Sequence, residues 1–483
     1  MLLESKLGTI VAFPKPPTHL EYYILLHQDA ATTVGDYVTI PAGHVTLVGR
    51  VTHLETRNPL YSNPEFIQDH MTRQVRIDQR FLTKTQVYRL AKVGAIAAIG
   101  VEAVDPPESP PEPGEIAYRA DSEVLDRLFG VVTQGLRIGK IRKTGHELGL
   151  SIDRLIREHL LIIGSTGSGK SYCNAILIEE LTENGLPAIV IDPHGEFKTY
   201  YADSPTPKGK PKIDVQVCSP SRSGNANDLS LSLEFSSLAP DQIAEIAGIE
   251  GIAEDVIHLT HQQLAQNQPQ AYDLTTFIQV AEEICGDWKF HTNTRTAVIR
   301  RLRMLEMLGI LGESLDISLF VKPGRLTIVD LSGYMRERVR KTLAGYVIEQ
   351  LFEGRRLGKL PLPVFVIVEE AHRFASRDQQ SYSKHILQRV AREGRKFGVG
   401  LAITSQMARS LEPVIISQCG TQIVLRTRNP MDLDMVRPHT EVLAKSDLQM
   451  IPHLPTGTAF VSGVAVNLPC LVDIRERKII PSH

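Results

Sequence analysis

Long apolar runs are missing from this chain of 483 residues. A helix that crosses a bilayer needs about 20 consecutive, mostly apolar residues, and no such run occurs, so no membrane segment is expected. Glu4 and Lys6 interrupt the opening stretch MLLESKLGTIVAFPK too early for a secretory signal. Cysteine is sparse: five residues, Cys173, Cys218, Cys285, Cys419 and Cys470, with no CxxC pair. That argues against a disulfide framework or a zinc site and fits a reducing compartment. Charge of one sign is missing too. The formal net charge is −2, so any grip on nucleic acid has to come from local basic patches. No zinc finger and no evident recognition helix is present, which removes base-specific reading from the expected functions. The chain reads as a soluble, cytoplasmic, globular protein.

What is present falls into distinct stretches. Residues 1–103 hold short β-branched runs (GTIVAF, DYVTI, VTLVGRV, QVYRLAKV, GAIAAIGV) between turn residues, the pattern of a small all-β barrel or sandwich. Residues 104–115, VDPPESPPEPGE, read as a proline-rich linker. Apolar strands then alternate with helices over 116–238 and 313–483, as in an α/β fold with a mostly parallel sheet. Residues 239–312 break the alternation with helical patterns alone and read as an inserted helical subdomain.

The strongest motif is LLIIGSTGSGKS, residues 160–171. An apolar strand runs into G-x-x-x-x-G-K-S and then into a helix, the setting of a phosphate-binding P-loop. Gly164, Ser165, Thr166, Gly167, Ser168, Gly169, Lys170, Ser171 and Tyr172 are the expected nucleotide-binding residues. The glycines let backbone N–H groups wrap the anion at a helix N-terminus. Lys170 neutralises the β- and γ-phosphates and Ser171 holds Mg²⁺. No NKxD-like guanine reader follows, so ATP is the expected nucleotide.

VFVIVEEAH, residues 364–372, ends a buried strand in two carboxylates. Hydrolysis at a P-loop needs one acid near the metal and one at the attacking water. Glu369 is assigned to the metal together with Ser171, and Glu370 to the water. AIVIDPHGEF places Asp192 at another strand end, as a support for the metal or the water, with His194 as a turn residue. Asp330, in TIVDLSG, is equally a loop-ordering acid or a functional one. Gln406 closes the strand GLAITSQ, where its amide can report the state of the γ-phosphate.

In LQRVAREGRKFGVG, residues 387–400, Arg389, Arg392, Arg395 and Lys396 share one side of a helix, and Leu387, Val390, Ala391 and Gly394 share the other. A basic face of this kind is solvated surface unless something docks on it.

Taken in order, GSTGSGKS, IDPHGEF, VDLSG, VIVEEAH, REGRKFGVG and ITSQ resemble the HerA branch of the HerA/FtsK ATPases over residues 120–475 or so, and the strand-rich first hundred residues resemble that family's N-terminal barrel. The resemblance implies a RecA-like P-loop core, a homo-hexameric ring and an ATP-driven double-stranded DNA translocase. It also implies a partner, either a NurA-like nuclease or an anti-phage effector enzyme. Within such a ring, Arg392 and Arg395 are the arginines that match the family motif for completing a hydrolysis site, in cis or across to a neighbouring subunit. Where the family often carries a basic residue just before the P-loop strand, this chain has Glu158, with Arg157 next to it. Two basic stretches are placed as channel loops: Lys198, Lys208, Lys210 and Lys212, and Arg336, Arg338, Arg340 and Lys341. Arg295, Arg300, Arg301 and Arg303 lie in the insert, where packing or docking is equally open. Two other readings share the core motifs: a secretion or conjugation ATPase, and an ATP-binding ring that assembles an effector.

Overall fold

The computed structural model describes residues 6–59, 64–72, 87–101, 103–129, 135–203, 213–220, 228–267, 272–435 and 449–479. Lys208, Lys210 and Lys212 lie outside the described residues.

The first sheet holds β1 (Lys6–Val11), β2 (Glu21–Leu26), β3 (Tyr37–Ala42), β4 (Val45–Arg57), β5 (Tyr88–Ile99), β6 (Val104–Asp105) and β7 (Ile116–Arg119). Their order is β2-β1-β7-β3-β4-β5-β6, and β2 also pairs with β5, so six antiparallel strands close into a barrel with β6 at its side. Closure leaves none of the six as an open edge. Leu7, Ile10, Tyr22, Ile24, Val38, Ile40 and Val93 fill the interior.

The proline-rich stretch is not a tether between domains. Val104 and Asp105 pair with β5, and β7 returns between β1 and β3 to complete the barrel. The barrel therefore extends to Arg119, beyond the point where the prolines suggest a boundary. The prolines occupy a loop within the sheet, where no ladder hydrogen bond is asked of them.

The second sheet contains β8 (Leu136–Ile141), β9 (Glu147–Leu150), β10 (Leu160–Ile163), β11 (Ala188–Asp192), β12 (Asp214–Ser219), β13 (Leu229–Ser230), β14 (Arg325–Asp330), β15 (Val364–Val368), β16 (Val399–Ser405), β17 (Thr421–Leu425), β18 (Thr458–Gly463) and β19 (Cys470–Ile474). The order is β13-β12-β14-β11-β15-β16-β10-β17-β18-β19-β8-β9, parallel from β13 to β17 and antiparallel beyond. Every residue of β10, β11, β15, β16 and β17 is buried, as strands covered on both faces require. This is the RecA-like P-loop core expected from the sequence. β16 stands between the P-loop strand β10 and the acid-bearing strand β15.

The helices used below are α1 (Ser122–Phe129), α2 (Ile152–Glu158), α3 (Lys170–Glu183), α4 (Pro240–Ala247), α5 (Ile252–Asn267), α6 (Leu274–Asp287), α7 (Thr292–Glu306), α8 (Glu337–Arg356) and α9 (Tyr382–Phe397). Helices α4–α7 form the insert. Their apolar residues Ile243, Phe277, Val298 and Leu302 join Val329, Leu343 and Val366 in one continuous core, so the insert packs onto one face of the sheet. Among the described residues no helix is long and apolar enough to cross a membrane, and all five cysteines are buried and none forms a disulfide.

Candidate active site

Open parallel sheets place ligands beyond the carboxyl ends of their strands. Here the ends of β10, β11, β15 and β16 bring the motifs together. After β10 the chain turns through Gly167 at φ 71° and Gly169 at φ 105°, left-handed conformations that favour glycine. Gly164 is required by space: a Cβ there would lie 2.3 Å from Ser168 Oγ and 2.9 Å from Leu425 Cβ. Ser165 N–H donates to the Arg426 carbonyl at 2.9 Å, which anchors the loop to the end of β17. Lys170 is buried and its Nζ donates to the Ser165 carbonyl at 3.4 Å, across the mouth of the loop. Burial pushes its ammonium below the usual lysine range, opposed by the nearby carboxylates of Glu370, Glu369 and Glu196.

Glu369 follows β15 directly, and its N–H still pairs with the Ile191 carbonyl at 3.2 Å. Its Oε1 accepts from Asn174 Nδ2 at 2.7 Å, and the same Asn174 amide donates to Thr404 Oγ1 at 2.9 Å. Asn174 and Thr404 are fully buried, so the P-loop helix, the acid and β16 share one closed polar contact. Burial pushes the Glu369 carboxyl up to about 7, with the Asn174 amide acting against the rise and Glu370, Glu196 and Asp192 adding to it. A buried carboxylate among acids, with one oxygen left over after Asn174, and the Ser171 hydroxyl at the start of α3 together fit a divalent cation.

Glu370 adopts φ 47° and ψ 46°, a left-handed conformation that costs a non-glycine residue about 1 kcal/mol or more. This turn sets its Oε2 3.2 Å from His372 Nδ1, where it is buried without a hydrogen bond. The His372 ring also lies 3.1 Å from Ser405 Oγ, at the end of β16. Gln406 Oε1 accepts from Thr166 Oγ1 at 2.7 Å, so the end of β16 touches the P-loop itself.

Asp192 orders the turn that follows β11. Its Oδ1 accepts from the His194 and Gly195 N–H groups at 3.1 and 2.9 Å, and its Oδ2 from Phe197 N–H at 2.9 Å. Three backbone donors meet the carboxylate, so it builds the Pro-His-Gly-Glu turn while its charge still acts on Glu369; His194 is exposed on that turn. Asp330 orders its loop likewise, accepting from Ser332 N–H at 2.9 Å and Ser332 Oγ at 2.6 Å. Lys198 ion-pairs with Asp330 at 3.3 Å and Asp228 at 3.5 Å, which ties strand ends together and removes it from the free channel lysines. In the second basic stretch Arg340 and Lys341 are bonded within the chain and Arg338 lies 3.9 Å from Glu250. Arg336 stays exposed beside Met335, which is 98% exposed.

On α9 the basic face divides. Ser381 caps the helix by accepting from Lys384 N–H, and Gly398 ends it at φ 69°. Arg389 is held by Glu353 at 3.0 Å and stacks 4.9 Å over Phe352. Arg392 and Arg395 are exposed and make no hydrogen bond or ion pair with the described residues.

Sequence reasoning missed the belt across the P-loop helix. Arg475 pairs with Glu179 at 3.0 Å and with Glu180 at 2.9 Å, Lys478 pairs with Glu180 and Glu183, and the Lys478 and Ile479 N–H groups donate to Glu179. Arg477 lies over the rings of Tyr172, Tyr200 and Tyr201, and its N–H donates to Tyr172 Oη at 2.9 Å. The signal was present: two glutamates inside the apolar run AILIEEL, and a late RERK to answer them.

The family described as "Helicase HerA, central domain" matches residues 136–351. The chain is similar to the "DNA double-strand break repair helicase HerA" of Pyrococcus furiosus, 26% identical over 95% of this chain and 90% of that protein. It is similar to its namesake from Saccharolobus solfataricus at 27%, over 95% and 91%. Among solved structures, the plasmid coupling protein TrwB in complex with a non-hydrolysable ATP analogue shares the fold, with a TM-score of 0.51 at 13% identity over 76% of this chain and 95% of that one.

Proposed function

We propose that this chain, similar over most of its length to HerA helicases, is a HerA-type ATPase that moves along double-stranded DNA as a translocase or helicase. We take it to work as a homo-hexameric ring with a NurA-like nuclease or a defence effector as partner, in DNA end processing or anti-phage defence. One observation carries the reading. Lys170, Glu369, Glu370 and Gln406 come together in a single chain, whereas Arg392 and Arg395 stand exposed on α9 without a partner among the described residues. A site furnished on one side and arginines without a local partner are what a ring of identical subunits needs.

In this reading the N–H groups of residues 164–169 and Lys170 hold the phosphates of ATP. Ser171 and Glu369 would hold Mg²⁺, which neutralises phosphate charge. Glu370 takes the proton of the attacking water, and Gln406, bonded to Thr166, orients that water or registers the γ-phosphate. Arg392 or Arg395 of a neighbouring subunit stabilises charge on the transferring phosphoryl. Arg336, exposed beside Met335, is the residue of the second basic stretch left free to meet a DNA phosphate. The barrel is the proposed docking surface for the partner.

Two results are expected. Steady-state ATP hydrolysis rises on adding linear double-stranded DNA, and the stimulation weakens as salt rises, because phosphate contacts release counterions. Hydrolysis indifferent to DNA at every salt concentration would sink the motor reading and favour a ring that assembles a protein partner. Replacing both arginines, Arg392→Ala with Arg395→Ala, lowers kcat by about 10³-fold, the low end of the effect of such arginines in other NTPases. ATP affinity stays nearly constant, as measured by binding of a fluorescent ATP analogue.

A further inference from the structure

His159 sits between α2 and β10, 1% exposed, at φ 55°. Its imidazole makes two hydrogen bonds inside the protein. The Leu401 N–H of β16 donates to Nδ1 at 3.1 Å. Nδ1 is therefore unprotonated, so the ring proton is on Nε2, which lies 3.0 Å from the Ala391 carbonyl of α9 and donates to it. One side chain thus ties together the root of the P-loop strand, the neighbouring strand and the helix that carries the unpaired arginines. Ala391 immediately precedes Arg392, and Arg395 follows one turn later.

The fit around this contact is close. At Gly394, a Cβ would lie 2.5 Å from the Val399 carbonyl oxygen and 3.5 Å from His159 Cε1. The last turns of α9 rest directly on the imidazole and on the start of β16, with no room for a side chain. Burial holds the ring neutral, with its pKa pushed down to about 4, so both bonds persist throughout the physiological range.

We propose that His159 is a positioning residue for hydrolysis: it fixes the rotation and height of α9, and through Ala391 the reach of Arg392 and Arg395. This rests on the reading above, in which those arginines serve the reaction. A displacement near 1 Å at a group that stabilises the transition state costs about 10²-fold in rate. A single hydrogen bond at the root of the helix is therefore enough to matter without touching nucleotide.

The test is kcat and KM for ATP, with linear double-stranded DNA present, in the full-length protein. The variants are His159→Asn, His159→Gln, the Arg392→Ala/Arg395→Ala pair, and that pair combined with His159→Asn. Asparagine keeps an acceptor near Leu401 N–H but cannot reach Ala391. Glutamine places an amide nitrogen near the position of Nε2. His159→Asn is expected to lower kcat about 10-fold or more with KM nearly constant, and His159→Gln to keep most of the rate. On the arginine-free background His159→Asn is expected to change kcat by less than about 2-fold, because the group it positions is gone. If its loss instead multiplies with that of the arginines, His159 acts elsewhere and the proposal is overturned. If the arginine pair itself leaves kcat unchanged, the reading of those arginines fails first and His159 loses its role with it. Should His159→Asn not fold, Gly394→Ala takes its place, since it lifts the same turn of α9 while keeping the imidazole. A wild-type kcat in that variant overturns the proposal, and a loss absorbed by the arginine-free background supports it.

Discussion

Glu370→Gln is expected to leave ATP binding intact and to lower kcat by about 10²–10⁴-fold, the range for removing a general base. The substitution keeps shape and hydrogen-bonding reach and removes the capacity to take a proton. The structure gives reasons to expect the effect here rather than at Glu369. Glu369 is tied by Asn174 and buried beneath the phosphate loop, where it suits a cation. Glu370 occupies the strained left-handed turn, and its Oε2 has no hydrogen bond to give up. Strain of this kind persists where the surroundings impose it, and it is common at reacting groups. The measurement is single-turnover hydrolysis beside equilibrium binding of the same nucleotide. Wild-type turnover in Glu370→Gln would move the base role to another residue, with Glu369 next in line.

The second large effect concerns stability. Arg475→Ala combined with Lys478→Ala is expected to destabilise the folded chain by about 3–5 kcal/mol, because it strips the cations from a buried ion cluster. Glu179 is completely buried and Glu180 nearly so, and both lie on the helix that begins with Lys170. Backbone donors from residues 137, 478 and 479 remain to these carboxylates, but they carry no full positive charge. Adding Glu179→Gln and Glu180→Gln to the same chain should recover much of the loss, since the uncompensated charges vanish with the cations. Chemical denaturation of the four-fold variant beside the two-fold one gives the comparison. Equal instability in both would mean that packing of the 475–479 segment, and not charge, holds α3.

The sheet and its phosphate loop were legible because each rests on a local pattern. A strand covered on both faces needs an unbroken apolar run, and the loop needs glycines at fixed spacing, so LLIIGSTGSGKS and VFVIVEE declare both. The proline-rich stretch misled because prolines report local backbone restriction and carry no information on which strand follows. Only the pairing of β7 with β1 and β3 shows that the barrel is still incomplete at residue 115. The turn-building bonds of Asp192 were hidden for a related reason. An acid at a strand end is the same letter whether it faces a ligand or three amides of its own turn. Asn174 and His159 were invisible because their partners lie 195 and 232 residues away. A polar residue in an apolar helix face announces that it has a partner, but the sequence does not say which.

The way β7 hands over to the core has a mechanical consequence. The chain leaves the barrel at Arg119 and enters α1 at Ser122. Tyr37 of β3 meets Phe129 of α1 edge to face at 5.4 Å, and Tyr37, Val48, Ala97 and Ile99 share an apolar cluster with Leu125, Leu128 and Leu136. Lys143 of the core reaches Thr33 at 3.0 Å, and Arg127 reaches the Gly100 carbonyl at 2.6 Å. Among the described residues, these contacts fasten the barrel directly to the core. For a partner docked on the barrel as proposed, a flexible strap would let it drift while the ATPase cycles, whereas a packed mount would pass displacements of the core on to it.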